Sequence, residues 1–385
     1  MEIIDIRKTV APSLVGCVVG LGLAACTSGA GMQATPQSVV PPGPQSSTTV
    51  ASSDQTKAST RTDESYSGKK GSVPTLAARA DVTQHPVKGK TWFAKDAKDM
   101  PRLLFISDYA GEAVYIYSMP EQKLVGTITG FSSPEGMCED NSGNIWIANA
   151  SAQEMLQYSR TGTLLRTLSI ANAYPASCAV NRKTGDLAVS NIESTSGPGN
   201  IMIFKNASGG GTEYTNSDIY EYFFVGYDDS GNLFFDGTDS TRSTSYFAEL
   251  PSGSGTTKTI SLSNGTLHFA GLVQWYKIGK YIALGDQMCG GTTSACIYWV
   301  TVSGSTATIS GTTNLTNYKG GQVCDLTQGV LAADREKYVA GADYETCGYT
   351  TNTTDRWAYE AGGQPTNDDN TVTFLEPIGA AISAK

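Results

Sequence analysis

The stretch Ser133–Asn149, SPEGMCEDNSGNIWIAN, contains a short apolar run, a polar turn at Asn141-Ser142-Gly143 and a second apolar run that stops at Asn149. Short apolar runs on either side of an Asn/Gly turn predict two antiparallel strands. The pattern returns in YPASCAVNRKTGDLAVSN (Tyr174–Asn191), FFVGYDDSGNLFFDG (Phe223–Gly237), FAGLVQWYKIGKYIALGD (Phe269–Asp286) and QGVLAADREKYVAGAD (Gln328–Asp343). Each copy has a strand, a polar turn and a second strand that reaches an Asn or Asp. The copies are roughly 40 to 60 residues apart and leave room for two further strand-like runs, which after the quoted stretch are EMLQYS and TLLRTLS.

Four antiparallel strands repeated at this period form the blade of a β-propeller. The chain ends supply a further unit. LLFISDYAGEAVYIYSMPEQKLVGTITG (Leu103–Gly130) reads as three strands. EPIGAAIS (Glu376–Ser383) parallels SPEGMCED, with Pro377 and Gly379 matching Pro134 and Gly136. The last strand is therefore expected to complete the first blade, which removes a free sheet edge. The expected fold is an all-β, six-bladed β-propeller closed by the C-terminal strand. Seven blades is the alternative if the connection around Tyr318–Val323 hides strands. SPEGMCEDNSGNIWIAN resembles an NHL-type repeat, and residues from about 100 to 385 resemble six-bladed propellers of the NHL and SMP-30/lactonase-like kind. The resemblance implies protein or ligand binding, a lactonase or a lyase.

The N-terminus carries Arg7 and Lys8, then an apolar run from Val10 to Ala25 that is short for a membrane span. It ends in Leu23-Ala24-Ala25-Cys26, which resembles a bacterial lipobox, so residues 1–25 are expected to be a lipoprotein signal peptide and Cys26 the lipidation site. Residues 26–90 are rich in Ser, Thr, Pro and Gly and are expected to be a disordered tether. The propeller is assigned to 91–385. The expected location is export and lipid anchorage to a bacterial membrane, facing periplasm or exterior. A formal net charge of −9 speaks against binding a phosphate backbone, which requires clustered Lys and Arg.

Beyond Cys17 and Cys26, six cysteines remain: Cys138, Cys178, Cys289, Cys296, Cys324 and Cys347. An even number in an exported domain predicts disulfides, and fifteen pairings exist. The blade arrangement favours Cys289 with Cys296 across one loop, Cys324 with Cys347 on one face, and Cys138 with Cys178 in neighbouring innermost strands.

Six positions end a second strand: Asp108, Asn149, Asn191, Asp236, Asp286 and Asp343. The blades would set them as a ring of oxygens at one mouth of the central channel. Glu135 is the one carboxylate expected at the start of a first strand, where Gln328 and small or apolar residues stand in the other blades. Two readings follow. Glu135 with Asn149, Asn191, Asp236 and Asp286 could hold Ca²⁺ or Mg²⁺, as the resemblance to SMP-30-like lactonases implies, with one ring Asp acting as base. Alternatively each ring residue closes its turn by accepting backbone N–H groups, and its presence in every copy favours that. His268 stands alone, and no GxSxG, phosphate loop or dinucleotide fingerprint occurs. Trp146, Trp275 and Trp299 are expected between blades, with Trp92 and Trp357 freer. The leading expectation is a membrane-tethered binding or scaffold module of the cell envelope, a monomer whose partner is an unknown envelope protein or small ligand. No catalytic residue and no certain cofactor are assigned. The alternative is a metal-dependent hydrolase of the lactonase type.

Overall fold

The computed structural model describes residues 90–385 apart from 293, 325, 334–336 and 345–352. The expected signal at 1–25, the lipidation site Cys26, the tether up to residue 89 and Cys347 lie outside the described residues.

Among the described residues the regular elements are β-strands and single-turn 3₁₀ helices. The first sheet contains β1 (Trp92–Phe93), β2 (Arg102–Asp108), β3 (Ala113–Met119) and β4 (Leu124–Thr129). The quoted stretch is β5 (Pro134–Glu139) and β6 (Ile145–Asn149), followed by β7 (Glu154–Tyr158) and β8 (Leu164–Ser169) in one four-stranded meander. A second meander comprises β9 (Ala173–Val180), β10 (Leu187–Ser194), β11 (Gly197–Phe204) and β12 (Thr212–Tyr214). Two more follow: β13 (Glu221–Tyr227), β14 (Leu233–Thr238), β15 (Ser245–Leu250) and β16 (Lys258–Leu262); then β17 (Ala270–Tyr276), β18 (Tyr281–Asp286), β19 (Cys296–Ser303) and β20 (Thr306–Asn314). They form a single eight-stranded sheet, because β16 pairs parallel to β20 through Ser261 with Thr306 and Leu262 with Ala307. The last meander is β21 (Val330–Ala333), β22 (Lys337–Asp343), β23 (Thr353–Ala358) and β24 (Asn367–Asp369). The final strand, β25 (Pro377–Ala384), leaves it and pairs antiparallel with β2. The expected closure by the C-terminal strand is thus present. The connection after β20 is a turn gathered by Asn317, whose Oδ1 accepts the Lys319 and Gly321 N–H groups, and among its described residues it makes two isolated bridges, Leu315 with Gly363 and Thr316 with Gln322, rather than strands.

The tight turn of the quoted stretch has a specific cause. Asp140 Oδ1 accepts the N–H groups of Ser142 (2.7 Å) and Asn144 (3.0 Å), and Gly143 takes φ +77°. Asp228 repeats the device with Ser230 and Asn232, both at 2.8 Å, and Gly231 at φ +87°. Asn and Asp favour such turns because the side chain replaces a backbone acceptor.

Apolar layers fill the gaps between successive sheets. Phe105 and Ile116 of the first sheet pack with Ile145 and Leu156 of the next. Trp146 and Met155 pack with Val189 and Phe204. The last layer joins Tyr338 and Ala340 of β22 back to Leu104 and Tyr115 of the first sheet, so the layers form a ring. Strands buried on both faces read as continuous apolar runs: every residue of β3, AVYIYSM, is buried. Trp357, expected to be freer, is fully buried with its indole N–H on the Thr316 carbonyl, whereas Trp92 is 43% exposed. In β13, Tyr222, Phe223 and Phe224 are buried in the core, while Tyr220 just before it and Tyr227 at its end are only partly buried.

The matched glycines have a packing reason. A Cβ on Gly379 would collide with the Glu135 carbonyl oxygen, and one on Gly136 would lie 2.6 Å from the Ala176 carbonyl oxygen. At both places adjacent innermost strands approach too closely for a side chain.

Cys138 and Cys178 are bonded to each other and tie β5 to β9, and Cys289 and Cys296 close the loop before β19. Cys324 is buried and disulfide-bonded. The sequence separations are 40 for the first bridge and 7 for the second. Loop-closure entropy then assigns about 4 kcal/mol to the first and about 2.5 kcal/mol to the second. Cys138→Ser/Cys178→Ser should therefore lower unfolding free energy in urea more than Cys289→Ser/Cys296→Ser; the reverse order would show that native-state packing, not chain entropy, sets their worth.

Candidate functional site

Two places near the central channel gather polar side chains, one at each end. At the end where second strands finish, the residues of the expected ring are all buried, from fully to 3% exposed. For Asp108, Asn149, Asp236 and Asp286 the partners include backbone N–H groups of the chain arriving to start a first strand. Asp108 accepts from Leu375 (3.0 Å), Glu376 (2.7 Å) and Gly111 (3.1 Å). Asn149 Oδ1 accepts from Ser132 (2.6 Å), Asp236 Oδ1 from Phe224 (2.8 Å), and Asp286 from His268 (3.1 Å) and Phe269 (3.0 Å). Asn191 differs: its Nδ2 donates to Asn200 Oδ1.

Glu135 lies at the start of β5 and is only 3% exposed. His268, expected to stand alone, has its Nδ1 3.1 Å from Asp286 Oδ2, to which the Tyr298 hydroxyl also donates. Among the described residues no group of three or more His, Cys, Asp or Glu side chains is placed to hold a metal ion.

Burial raises the Asp236 carboxyl well above the ordinary carboxylate range, and hydrogen bonds from the Phe224 and Gly271 backbone offset only part of that. Asp108 is shifted up for the same first reason, desolvation.

The other end of the channel opens into a cavity of about 520 Å³. Its walls are the innermost strands β5, β9, β13, β17, β21 and β25, with Val225, Val273, Trp275, Val330 and Ile382 among the apolar lining. Arg182, Lys183 and Lys277 stand at the mouth, with Glu139, Asp228 and Asp229. Two of these acids are already engaged: Glu139 binds Arg182 and the Ala384 N–H, and Asp228 holds its turn. The Cys138–Cys178 bridge is in the wall, and no histidine is.

Towards the ring the cavity meets Gln328, which is 8% exposed. Its Oε1 accepts the N–H groups of Met137 (2.9 Å) and Ala380 (3.0 Å). Its Nε2 donates to the Met137 carbonyl (3.0 Å) and to Ser177 Oγ (3.1 Å). One side chain leading into β21 thereby spans to β25, β5 and β9. Gln274 makes a smaller version of the contact, pairing with both the N–H (2.9 Å) and the carbonyl (3.1 Å) of Leu331. Sequence reading looked to the ring and passed over this end. The available signal was Gln328 itself, a long amide where other copies have Ala, Gly, Phe or Ile.

No protein-family model matches this sequence, and no curated protein does. Solved structures match the fold. The nidogen/laminin complex structure contains a chain that is 9% identical over 73% of this chain and 98% of its own, with TM-score 0.56. A protein of unknown function from Bacteroides caccae is 12% identical over 74% and 100%, also at 0.56. TolB from Acinetobacter baumannii is 12% identical over 74% and 67%, at 0.52. These neighbours are β-propeller proteins, and the likeness is one of fold.

Two outcomes follow. Gln328→Ala removes the acceptor of two backbone N–H groups and should cost about 2–4 kcal/mol, read as the shift in urea midpoint at unchanged slope. Asp236, whose pKa burial raises, contributes stability that is fullest below the ordinary pKa near 4 and is lost as pH rises through its raised value. Asp236→Asn should therefore flatten the decline of unfolding free energy above pH 4; an unchanged slope would move the effect to another group.

Proposed function

We propose that this chain is a non-enzymatic binding module: a six-bladed propeller, taking the eight-stranded sheet as two blades, that receives a small ligand in the blind cavity beneath Gln328. The cavity carries the reading. Its volume falls in the range of small-molecule sites, and its lining is apolar wall with a charged rim. The turn chemistry of Asp140 and Asp228 supports an NHL-like blade. The AAC sequence ending at Cys26 supports export and a lipid anchor, which would present the module at the cell envelope as a scaffold for an envelope protein or as a receptor.

The hydrolase alternative keeps one favourable observation, the buried carboxylate of Glu135 beside the oxygen ring. A Ca²⁺ or Mg²⁺ ion held by Glu135 with Asn149, Asn191, Asp236 and Asp286 would polarise a carbonyl.

One protein preparation separates the two. 8-Anilinonaphthalene-1-sulfonate should bind with one-to-one stoichiometry and quench Trp275, and Ala384→Trp at the exposed mouth should weaken it at least tenfold without lowering the melting temperature. Absence of binding sinks the cavity reading. If adding Ca²⁺ or Mg²⁺ after EDTA raises the melting temperature by several degrees, as a folded-state ligand must, and Glu135→Ala abolishes the rise, the hydrolase reading replaces it.

A further inference from the structure

Every propeller sheet has an outer edge whose backbone groups need partners or protection. Here nearly all are dealt with. β4 is covered by β1, with the Ala94 N–H on the Val125 carbonyl and the Thr129 N–H on Thr91 Oγ1. β12 and β24 are cut to three residues each. β16 and β20 cover one another, the Asn264 side-chain amide pairs with both backbone groups of Ile309, and Gly363 takes the far end of β20 at Asn314 and Thr316.

β8 is the exception among the described residues. It is six residues long, lies at the edge of its sheet with β7 as its one neighbour, and is largely exposed along its length. It also presents Leu164 at 49% and Leu165 at 46% exposure. Trp92, another of the few exposed large apolar side chains, is near: Phe93, next to it, packs its ring against Gly162 in the turn that starts β8.

The charge here opposes that of the whole chain. Residues 90–100 and 158–169 carry Lys90, Lys95, Lys98, Arg160 and Arg166 against Asp96 and Asp99, five cations to two acids on a chain of net −9. Arg160 gives one N–H to the Met100 carbonyl and Arg166 is held by Gln157 Oε1 and the Ala207 carbonyl, so the exposed cations are chiefly Lys90, Lys95 and Lys98.

We propose that the β8 edge is a docking site for an extended, acidic segment of another polypeptide, which adds as a strand beside Leu164–Ser169 with apolar side chains on the two leucines. Main-chain hydrogen bonds would supply affinity and the local cations would select acidic residues. A second copy of this chain is the poorer fit, since edge-to-edge pairing would bring two cationic surfaces together. Residues 27–89 of the chain itself carry six cations and four acids, the wrong sign. A lipid surface would leave the edge N–H and C=O groups unpaired. The proposal is independent of the cavity.

The test uses the full-length protein and an acetylated, amidated nine-residue peptide alternating Glu and Val. Calorimetry should show binding that weakens severalfold as salt rises from 50 to 500 mM, as exposed charge pairs do. Amide exchange should slow within residues 164–169. Leu164→Ser/Leu165→Ser should weaken binding at least tenfold at unchanged melting temperature, and the Lys-for-Glu peptide should not bind. The proposal is overturned by no binding of the Glu peptide, by binding without slowed exchange in β8, by a dimer in sedimentation that the Leu variants abolish, or by phosphatidylglycerol vesicles binding where the peptide does not.

Discussion

The molecule is governed by the need to satisfy backbone groups at the edges of its sheets. The innermost strands converge around the axis, and each turns one unpaired row of N–H and C=O groups inward. Side chains fill the role of missing strands. Gln328 and Gln274 offer an acceptor and a donor on one planar amide, matching the N–H and C=O of a single residue, Met137 and Leu331 respectively. Ser107 Oγ links sheets in the same way, accepting from the Gly379 N–H and donating to the Glu135 carbonyl, each at 2.7 Å. Where these struts end, the channel widens into the cavity, so the position of Gln328 sets the floor of that cavity.

The ring of Asp and Asn residues answers a related need at the other end. A chain that crosses from the outside of one sheet to the axis of the next arrives with unpaired N–H groups. Carboxylates at the ends of β2, β14 and β18 accept them, buried enough that Asp108 and Asp236 are pushed towards their neutral forms. A neutral acid still accepts a hydrogen bond, so the architecture survives protonation of these groups. That gives Asp108, Asp236 and Asp286 a structural role at this end of the channel.

The repeat was legible because its turns use local chemistry: Asp140 and Asp228 hold their own turns within five residues, and local patterns are what a sequence displays. The closure by β25 was legible through two residues, Pro377 and Gly379, whose match to Pro134 and Gly136 reflects the same close approach between inner strands. What stayed hidden depends on distant contacts. Gln328 acts on residues 191 positions away at Met137, and no local pattern encodes that. The parallel joint of β16 to β20 was hidden because it rests on two residue pairs at the ends of ordinary-looking strands. The burial of Glu135 was not legible, although its place at the start of a strand was, because the bulge in β5 moves it out of simple alternation. Trp357 read as free because its partner, Thr316, belongs to an irregular connection.

The pairing of β25 with β2 also imposes an order in time. A chain made from its N-terminus presents Arg102–Asp108 long before Pro377–Ala384 exists, so the first sheet must wait, its inner row open, while all the others are synthesised. Joining ends that distant costs about 5 kcal/mol in loop-closure entropy, and the last layer, from Leu104 and Tyr115 to Tyr338, forms only then. Any nascent chain that stops short of its final eight-residue strand is left with a gap at the seam, and is open there to chaperones and proteases in a way the finished ring is not.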